Sequence, residues 1–447
     1  MPNSAIIIGL GFVGLTTAAF FANRGIKVYG VDTDIQRIEA IKETRIPFFE
    51  PKLDHFVKKA LLSQMLIVNN DLYDGVKNSK FIFICVGTPM GQDGKVDLTS
   101  ITKVSKDIGT AINNVKKYQV ICVKSTVPPG TTENTILTKI EKTSGKRAYK
   151  DFGIGFIPEF LSEGSAVKDM TKPHKIVIGT NDTKSLLSID NFLMKIYGMG
   201  IHTIKTSIIS AELIKYANNA FLATKISFIN TIANICNNLP GTDVDVVAKA
   251  LGSDPRIGNQ FLVAGPGYGG SCLPKDLSGF IKSCKETGYE PILLRAIDAV
   301  NKDQISIIID ILNKRLGTLN GKAISILGTA FKKGTDDIRE SVSINLIRKL
   351  KNLANINVHD PKALENTKQI FGRSIRYSYS IKDVVTDCDC IIIMTEWDEY
   401  KEITQKQILE NNKNRIVLVV DTRRLLKFKK TNKIDYVALG KNTFHYK

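Results

Sequence analysis

The sequence predicts an α/β protein: two domains built on parallel sheets of like architecture, joined by a long central helix. Three observations predict it. The first ~200 residues alternate short β-branched runs with amphipathic stretches. A run of some thirty residues, "SIISAELIKYANNAFLATKISFINTIANICNN", then passes without glycine or proline. After about residue 320 the strand–helix alternation resumes.

In order, "AIIIGLG", "KVYGVD", "FIFICVG", "VICVKST", "FGIGFIPE" and "KIVIGT" read as strands. They are short, apolar on both faces, and end in Gly, Asp, Ser or Thr, as strands of a helix-covered parallel sheet do. The central helix starts near residue 207 and stops at "LPG" (239–241). Thr242 and Asp245 fit the N-cap and capping-box acid of a following helix that ends at Gly252. "KAISILGTAF", "NINVHDP", "CDCIIIMTE" and "RIVLVVDTR" are the strands of the second sheet. Alternation within "CDC" would turn Cys388 and Cys390 to one face. The expected domains are 1–205, 206–305 and 306–447.

Composition removes several classes of function. No apolar run approaches the ~20 residues that span a bilayer. The N-terminal segment lacks a basic n-region, so a cytoplasmic location is expected. The seven cysteines, an odd number mostly in apolar segments, suit reduced thiols rather than a disulfide framework. With five scattered histidines and no CxxC pair, no metal site is expected. The net charge of +18 could serve nucleic acid, but the lysines are dispersed, with no basic tail or arm. It fits a preference for anionic small molecules better.

"GLGFVG" is G-x-G-x-x-G, set between a strand and a helix-compatible stretch, and the next strand ends at Asp32. This is the dinucleotide fingerprint of a Rossmann-like domain. Gly9 permits the tight turn, Gly11 the approach of a pyrophosphate, and Gly14 close helix–strand packing. Asp32 would hold the adenine ribose hydroxyls, and with Asp34 it opposes a 2′-phosphate, so NAD is expected over NADP. Thr88, Ser125 and Thr126 follow strand ends, where ligands of open parallel sheets sit. Glu159 and Glu163 are spaced i, i+4 beyond another strand end, placed to act as a base on water or to open a helix. Lys215 and Asn219 share one face of the central helix. In "GYGGSCLPKD", Cys272 lies on a glycine-opened turn before Lys275 and Asp276. A thiol there could capture an aldehyde formed beside a nicotinamide.

These motifs, together with "PFFEP", "FKKGTDDIRES" and "MTEWDEY", resemble the UDP-glucose/GDP-mannose dehydrogenase family over roughly residues 3–430. Within it the chain looks most similar to the UDP-glucose 6-dehydrogenase branch. The resemblance implies NAD-dependent four-electron oxidation of a nucleotide sugar C6 alcohol to a carboxylate, through a cysteine thiohemiacetal and thioester. It makes Cys272 the nucleophile, with Lys215 and Asn219 stabilising oxyanions. Asp276 and Thr126 would position water, and Glu159 would activate the water that cleaves the thioester. It assigns Gly9, Gly11, Phe12, Val13, Gly14, Asp32, Arg37, Thr88, Thr126, Glu163, Lys275 and Arg339 to NAD. It assigns Glu159, Phe160, Leu161, Lys215, Asn219, Phe261, Leu262, Gly265, Gly269, Phe331, Lys332 and Arg423 to the nucleotide sugar, UDP-glucose first. It also implies at least a homodimer paired through the long helix, with Arg256 reaching the partner's substrate. Two residues depart from the family pattern: Ile157 stands where Asn is usual, and Leu273 where the glucose branch mostly has Phe. Oxidation of another nucleotide sugar, and a two-electron hydroxyacid-type dehydrogenase on the same fold, are the alternatives. The second has no use for Cys272.

Overall fold

The computed structural model describes residues 4–91, 94–412, 415–429 and 431–442. The chain divides into two compact units, Met1–Asn218 with Ser278–Gly288 and Asn219–Leu277 with Tyr289–Lys447.

The first unit carries an eight-stranded sheet: β1 (Ser4–Ile8), β2 (Lys27–Val31), β3 (Leu66–Asn69), β4 (Phe81–Ile84), β5 (Val120–Val123), β6 (Gly153–Phe156), β7 (Ile176–Gly179) and β8 (Thr203–Thr206). Its order is β3-β2-β1-β4-β5-β6-β7-β8. Neighbours run parallel except β6 and β7, which meet antiparallel at Phe156 and Gly179. Strands β4, β5 and β6 are buried along their whole length, which accounts for their unbroken apolar reading. The outer strands β3 and β8 escaped the sequence reading. "LIVN" alternates buried and half-buried residues, and "TIKT" has none fully buried.

The second unit includes β9 (Thr242–Asp243), then β10 (Ala323–Leu327), β11 (Asn355–His359), β12 (Arg376–Tyr377), β13 (Cys390–Ile393), β14 (Val417–Asp421), β15 (Ile434–Ala438) and β16 (Lys441–Asn442). Its six-stranded sheet, β12-β11-β10-β13-β14-β15, is parallel throughout. β16 pairs antiparallel with β9 and ties the chain's end to the central helices.

The central helix runs Ile208–Asn238, as its freedom from glycine and proline predicts. The capping expectation needs correction. The N-cap of the helix Val244–Gly252 is Asp243, whose side chain accepts from the Asp245 amide. Thr242 instead turns its hydroxyl back to the carbonyls of Cys236 and Leu239. The "CDC" expectation fails as well. β13 begins only at Cys390, and Cys388 packs into a different apolar cluster from Cys390. Alternation does not apply to a residue that precedes the strand.

Candidate active site

In the first unit, the turn after β1 is shaped by its glycines. Gly9 has φ +93°, and a Cβ there would meet the Cys85 carbonyl at 2.9 Å. At Gly14 a Cβ would fall 1.7 Å from the Gly9 oxygen, so helix and turn touch backbone to backbone. A Cβ at Gly11 would meet nothing within 4 Å. That space lies at the start of the helix Phe12–Asn23, which has no side-chain cap. Phe12 and Val13 open this helix, and the dipole of its N-terminus favours an anion. The Asp32 carboxylate accepts from the Leu10 amide at 2.7 Å, the Asp34 amide at 3.0 Å and Arg37 Nη1 at 3.0 Å. Burial alone would raise its pKa; the two amides and the guanidinium outweigh that and hold it below the ordinary value. An open cradle, free helix amides and an ionised carboxylate fit a dinucleotide.

Beyond β4 and β5, two hydroxyls lace the strand-end loops together. Thr88 Oγ1 donates to the Thr126 carbonyl at 2.8 Å, and Ser125 Oγ to the Val86 carbonyl at 2.6 Å. After β6 the chain is irregular until the helix Ala166–Thr171, so Glu159 and Glu163 do not sit in a helix's first turn. Glu159 is buried. Its Oε1 accepts from Lys215 Nζ at 3.0 Å and its Oε2 from the Leu161 amide at 2.6 Å. Lys215 also donates to the Glu159 carbonyl at 2.6 Å and lies 5.4 Å from the centre of the Phe160 ring. Burial pushes the Glu159 carboxyl up, but Lys215, Lys124 and the Leu161 amide together bring it below the usual value. Glu163 is buried, and its neighbour Gly164 donates its amide to Glu50 of "PFFEP" at 2.6 Å. Ile157 is buried in the sheet's core, its amide bonded to the Val123 carbonyl, so an apolar residue is at home there.

In the second unit, Cys272 immediately precedes the helix Leu273–Glu286, and its carbonyl accepts from the Asp276 amide at 2.8 Å. Ser271 Oγ lies 3.5 Å from its Sγ. Asp276, 1% exposed, accepts from Asn219 Nδ2 at 2.7 Å and Lys275 Nζ at 2.6 Å. The glycines before Cys272 leave room for the protein's own groups. A Cβ on Gly269 would fall 2.3 Å from the Glu340 carbonyl, and one on Gly270 would fall 2.7 Å from the Phe331 ring. Gly270 also donates to the Arg339 carbonyl at 2.9 Å. Gly265 faces Arg423, whose Nη1 would be 2.9 Å from a Cβ there, and the Gly265 amide donates to Asn230. Phe261 has φ +65° and is exposed, whereas Leu262 is buried. Lys332 Nζ lies 5.7 Å from the Phe331 ring centre. Arg339 is paired with Asp337, and Arg256, exposed, with Asp254.

Within the second unit, therefore, Cys272, Asp276, Asn219 and Lys275 form one group, while Gly265 with Arg423 and Gly269 with Phe331 form two further ones. Arg256 stands apart on the surface. The sequence reading missed Glu50, Lys124 and Glu212. Glu212 lies three residues before Lys215 and accepts from the Gly130 and Thr132 amides at 2.5 and 2.8 Å. A charged residue at the end of the apolar "VICVK" and an acid one helical turn from Lys215 were the available signals.

Three family models match in order: the NAD-binding domain over residues 4–199, the central domain over 209–303 and the UDP-binding domain over 325–428. The chain belongs to the UDP-glucose/GDP-mannose dehydrogenase family. It is an NAD-dependent nucleotide-sugar dehydrogenase. It is 38% identical to a UDP-glucose 6-dehydrogenase of Bacillus subtilis, over 96% of this chain and 91% of that one. It is 37% identical to a UDP-glucose 6-dehydrogenase of Haloferax volcanii, over 97% and 99%. Among solved structures, a UDP-glucose dehydrogenase from Pyrobaculum islandicum matches with a TM-score of 0.90 and 34% identity, covering 99% and 98%. A UDP-D-ManNAc dehydrogenase from Pyrococcus horikoshii shares the fold, with a TM-score of 0.85 at 24% identity. Among the described residues of this family member, no helix is long and apolar enough to cross a membrane. Nor does any cluster of His, Cys, Asp or Glu there suit a metal ion.

Proposed function

We propose that this dehydrogenase oxidises the C6 alcohol of UDP-glucose to the carboxylate, with Cys272 as covalent nucleophile. The observation that carries the reading is the setting of Cys272. Five of the other six thiols are buried, and Cys284 lies within a helix. Cys272 is partly accessible and stands at a helix N-terminus, where a developing thiolate is favoured.

NAD, when bound, would accept one hydride from C6, and a second NAD taking its place would accept the other. After the first, the Cys272 sulfur adds to the aldehyde carbon and the oxygen takes a proton. Lys215 and Asn219 stabilise the charge on that oxygen. Loss of the second hydride leaves a thioester on Cys272. Glu159 takes a proton from the attacking water, the C–S bond breaks, and the sulfur leaves as thiolate. Asp276 and Thr126 orient the water and pass protons. One alcohol and one water give one carboxylate, two NADH and three protons.

The remaining assignments follow the same reading. Gly9, Gly11, Phe12, Val13, Gly14, Asp32, Arg37, Thr88, Glu163, Lys275 and Arg339 serve the cofactor. Phe160, Leu161, Phe261, Leu262, Gly265, Gly269, Phe331, Lys332 and Arg423 serve the nucleotide sugar. The domains are 1–205, 206–305 and 306–447. Phe221, Phe228 and Ile235 are exposed on the long helix at seven-residue spacing, which supports pairing with a second copy and a place there for Arg256. Seven free thiols suit the cytoplasm.

Glu159→Gln tests the chemistry. General bases typically contribute ~10²–10⁴-fold, so with UDP-glucose and NAD this variant should give a burst of about two NADH per site and then nearly stop. Intact mass should show one nucleotide-uronyl group on the peptide containing "GGSCLPKD", removable by hydroxylamine. Cys272→Ala should form neither adduct nor uronate; uronate at the wild-type rate from that variant would end the covalent mechanism. Because of Ile157 and Leu273, UDP-N-acetylhexosamines and GDP-mannose belong in the same assay. One NADH per sugar would instead indicate a two-electron enzyme.

A further inference from the structure

Lys124 is a charged residue at the end of an otherwise apolar strand, and no step above uses it. Strands β4, β5 and β6 run in register, Ile84 beside Val123 and Val123 beside Phe156. The Lys124 amide bonds to the Ile84 carbonyl at 2.9 Å and the Ile157 amide to the Val123 carbonyl at 2.8 Å. Lys124 therefore leaves the sheet between the strand end that carries Cys85 and the one that leads to Glu159. It is 8% exposed, and among the described residues its ammonium has no hydrogen-bond or ion-pair partner. A buried ammonium in that state is costly to keep.

Among the described residues, the titratable groups that act on Glu159 include Lys215 on the central helix and Lys124 at the end of β5, and Glu159 in turn acts on Cys85 at the end of β4. Burial, the largest influence, and Lys215 push the Lys124 pKa down, while Cys85, Glu159 and Cys122 pull it back up. Burial pushes the Cys85 thiol up to about 12 and the Cys122 thiol higher still, so both stay neutral. Glu159 is then the one negative charge among these groups, and it faces the amines of Lys215 and Lys124. In the resting protein Lys215 is held by the Glu159 carboxylate and carbonyl. The mechanism asks that same ammonium to face the substrate oxygen. A buried carboxylate that lost its only cation would take up a proton and could no longer act as a base.

We infer that Lys124 is a positioning residue, a fixed second cation that keeps Glu159 ionised while Lys215 serves the substrate. This rests on the roles proposed above for Glu159 and Lys215.

The test uses Lys124→Met, which keeps the length without the charge, and Lys124→Arg, which keeps the charge. Infrared titration of each full-length protein, minus the same protein carrying Glu159→Gln, reads the ionisation of Glu159 directly. Lys124→Met should raise its midpoint by about one pH unit or more, and Lys124→Arg should leave it near wild type. At a pH below both midpoints, hydrolysis of the Cys272 adduct should then slow about tenfold in Lys124→Met and recover at high pH, with the first NADH formed at an unchanged rate. An unshifted infrared midpoint in a folded Lys124→Met protein overturns the inference. A shifted midpoint that adduct hydrolysis does not follow upholds Lys124 as the cation that holds Glu159, and removes Glu159 as the base.

Discussion

The two sheets share a strand order but use their strand ends differently. In the first, the residues after β1 are Gly9, Leu10 and Gly11; in the second, those after β10 are Gly328, Thr329 and Ala330. Gly9 and Gly328 both turn with positive φ, +93° and +97°. Two residues on, Gly11 faces open space while the methyl of Ala330 is buried. Each second strand is followed by an aspartate. Asp32 accepts from two amides and Arg37. Asp360 accepts from the amides of Thr329, Ala330, Lys362 and Ala363 and from the Trp397 indole. Five donors saturate a carboxylate's roughly four lone-pair sites. Topology sets a carboxylate just beyond the second strand of both sheets; the neighbouring residues saturate one as a staple, while the other fits the cofactor role proposed for it.

Asp360→Ala should break the comparison hardest. It strands several buried donors, and unfolding in urea should show a loss of about 3–5 kcal/mol with KM for NAD unchanged. A loss below about 1 kcal/mol would mean that Asp360 is no staple.

The loops after the fifth strands extend the contrast. Asp421, at the end of β14, holds its own loop through the Arg423 and Leu426 amides. The loop after β5 is held by Glu212, from the distant central helix. Burial pushes the Glu212 carboxyl up to about 7, against the pull of Thr132 and the Gly130 amide. Because the folded value is the higher one, this group's contribution to stability is complete below its unfolded value near 4.5 and is lost as pH rises through about 7. The effect is on the order of 3 kcal/mol. Glu212→Gln should flatten that decline when urea midpoints are followed from pH 4 to 8; parallel wild-type and variant curves would refute it.

Asp32→Ala should lower kcat/KM for NAD by about tenfold, the scale of a lost charge-assisted hydrogen bond. It should narrow the preference over NADP further than charge removal alone, because Arg37 is released toward a 2′-phosphate. A wild-type enzyme that used NADP as well as NAD would contradict the assignment. The smallest effect belongs to Trp397→Phe. It deletes one of Asp360's five donors and should cost no more than about 1 kcal/mol, read from the same urea curves.

Much of this was legible along the chain because the signals are local. The buried strands announced themselves as unbroken apolar runs, and the central helix as a stretch without breakers. The turn glycines and Asp32 came as a spaced motif, and Cys272 came with its charged neighbours. The marginal strands β3, β8, β12 and β15 gave weaker patterns, since half-buried edges need less apolar sequence.

Sequence alone determined the fold class, the cofactor motif and the family, each carried by residues a few positions apart. Tertiary structure decided the partners. Glu50 reaches Gly164 across 114 residues, Glu212 reaches Gly130 across 82, and Lys215 reaches Glu159 across 56. It also decided that the glycines before Cys272 answer to Phe331 and Glu340, and that Lys124 shares its surroundings with Glu159. No periodicity encodes such meetings. They arise only when sheet order brings distant strand ends to one side, and burial then makes each charge depend on the neighbours it finds there.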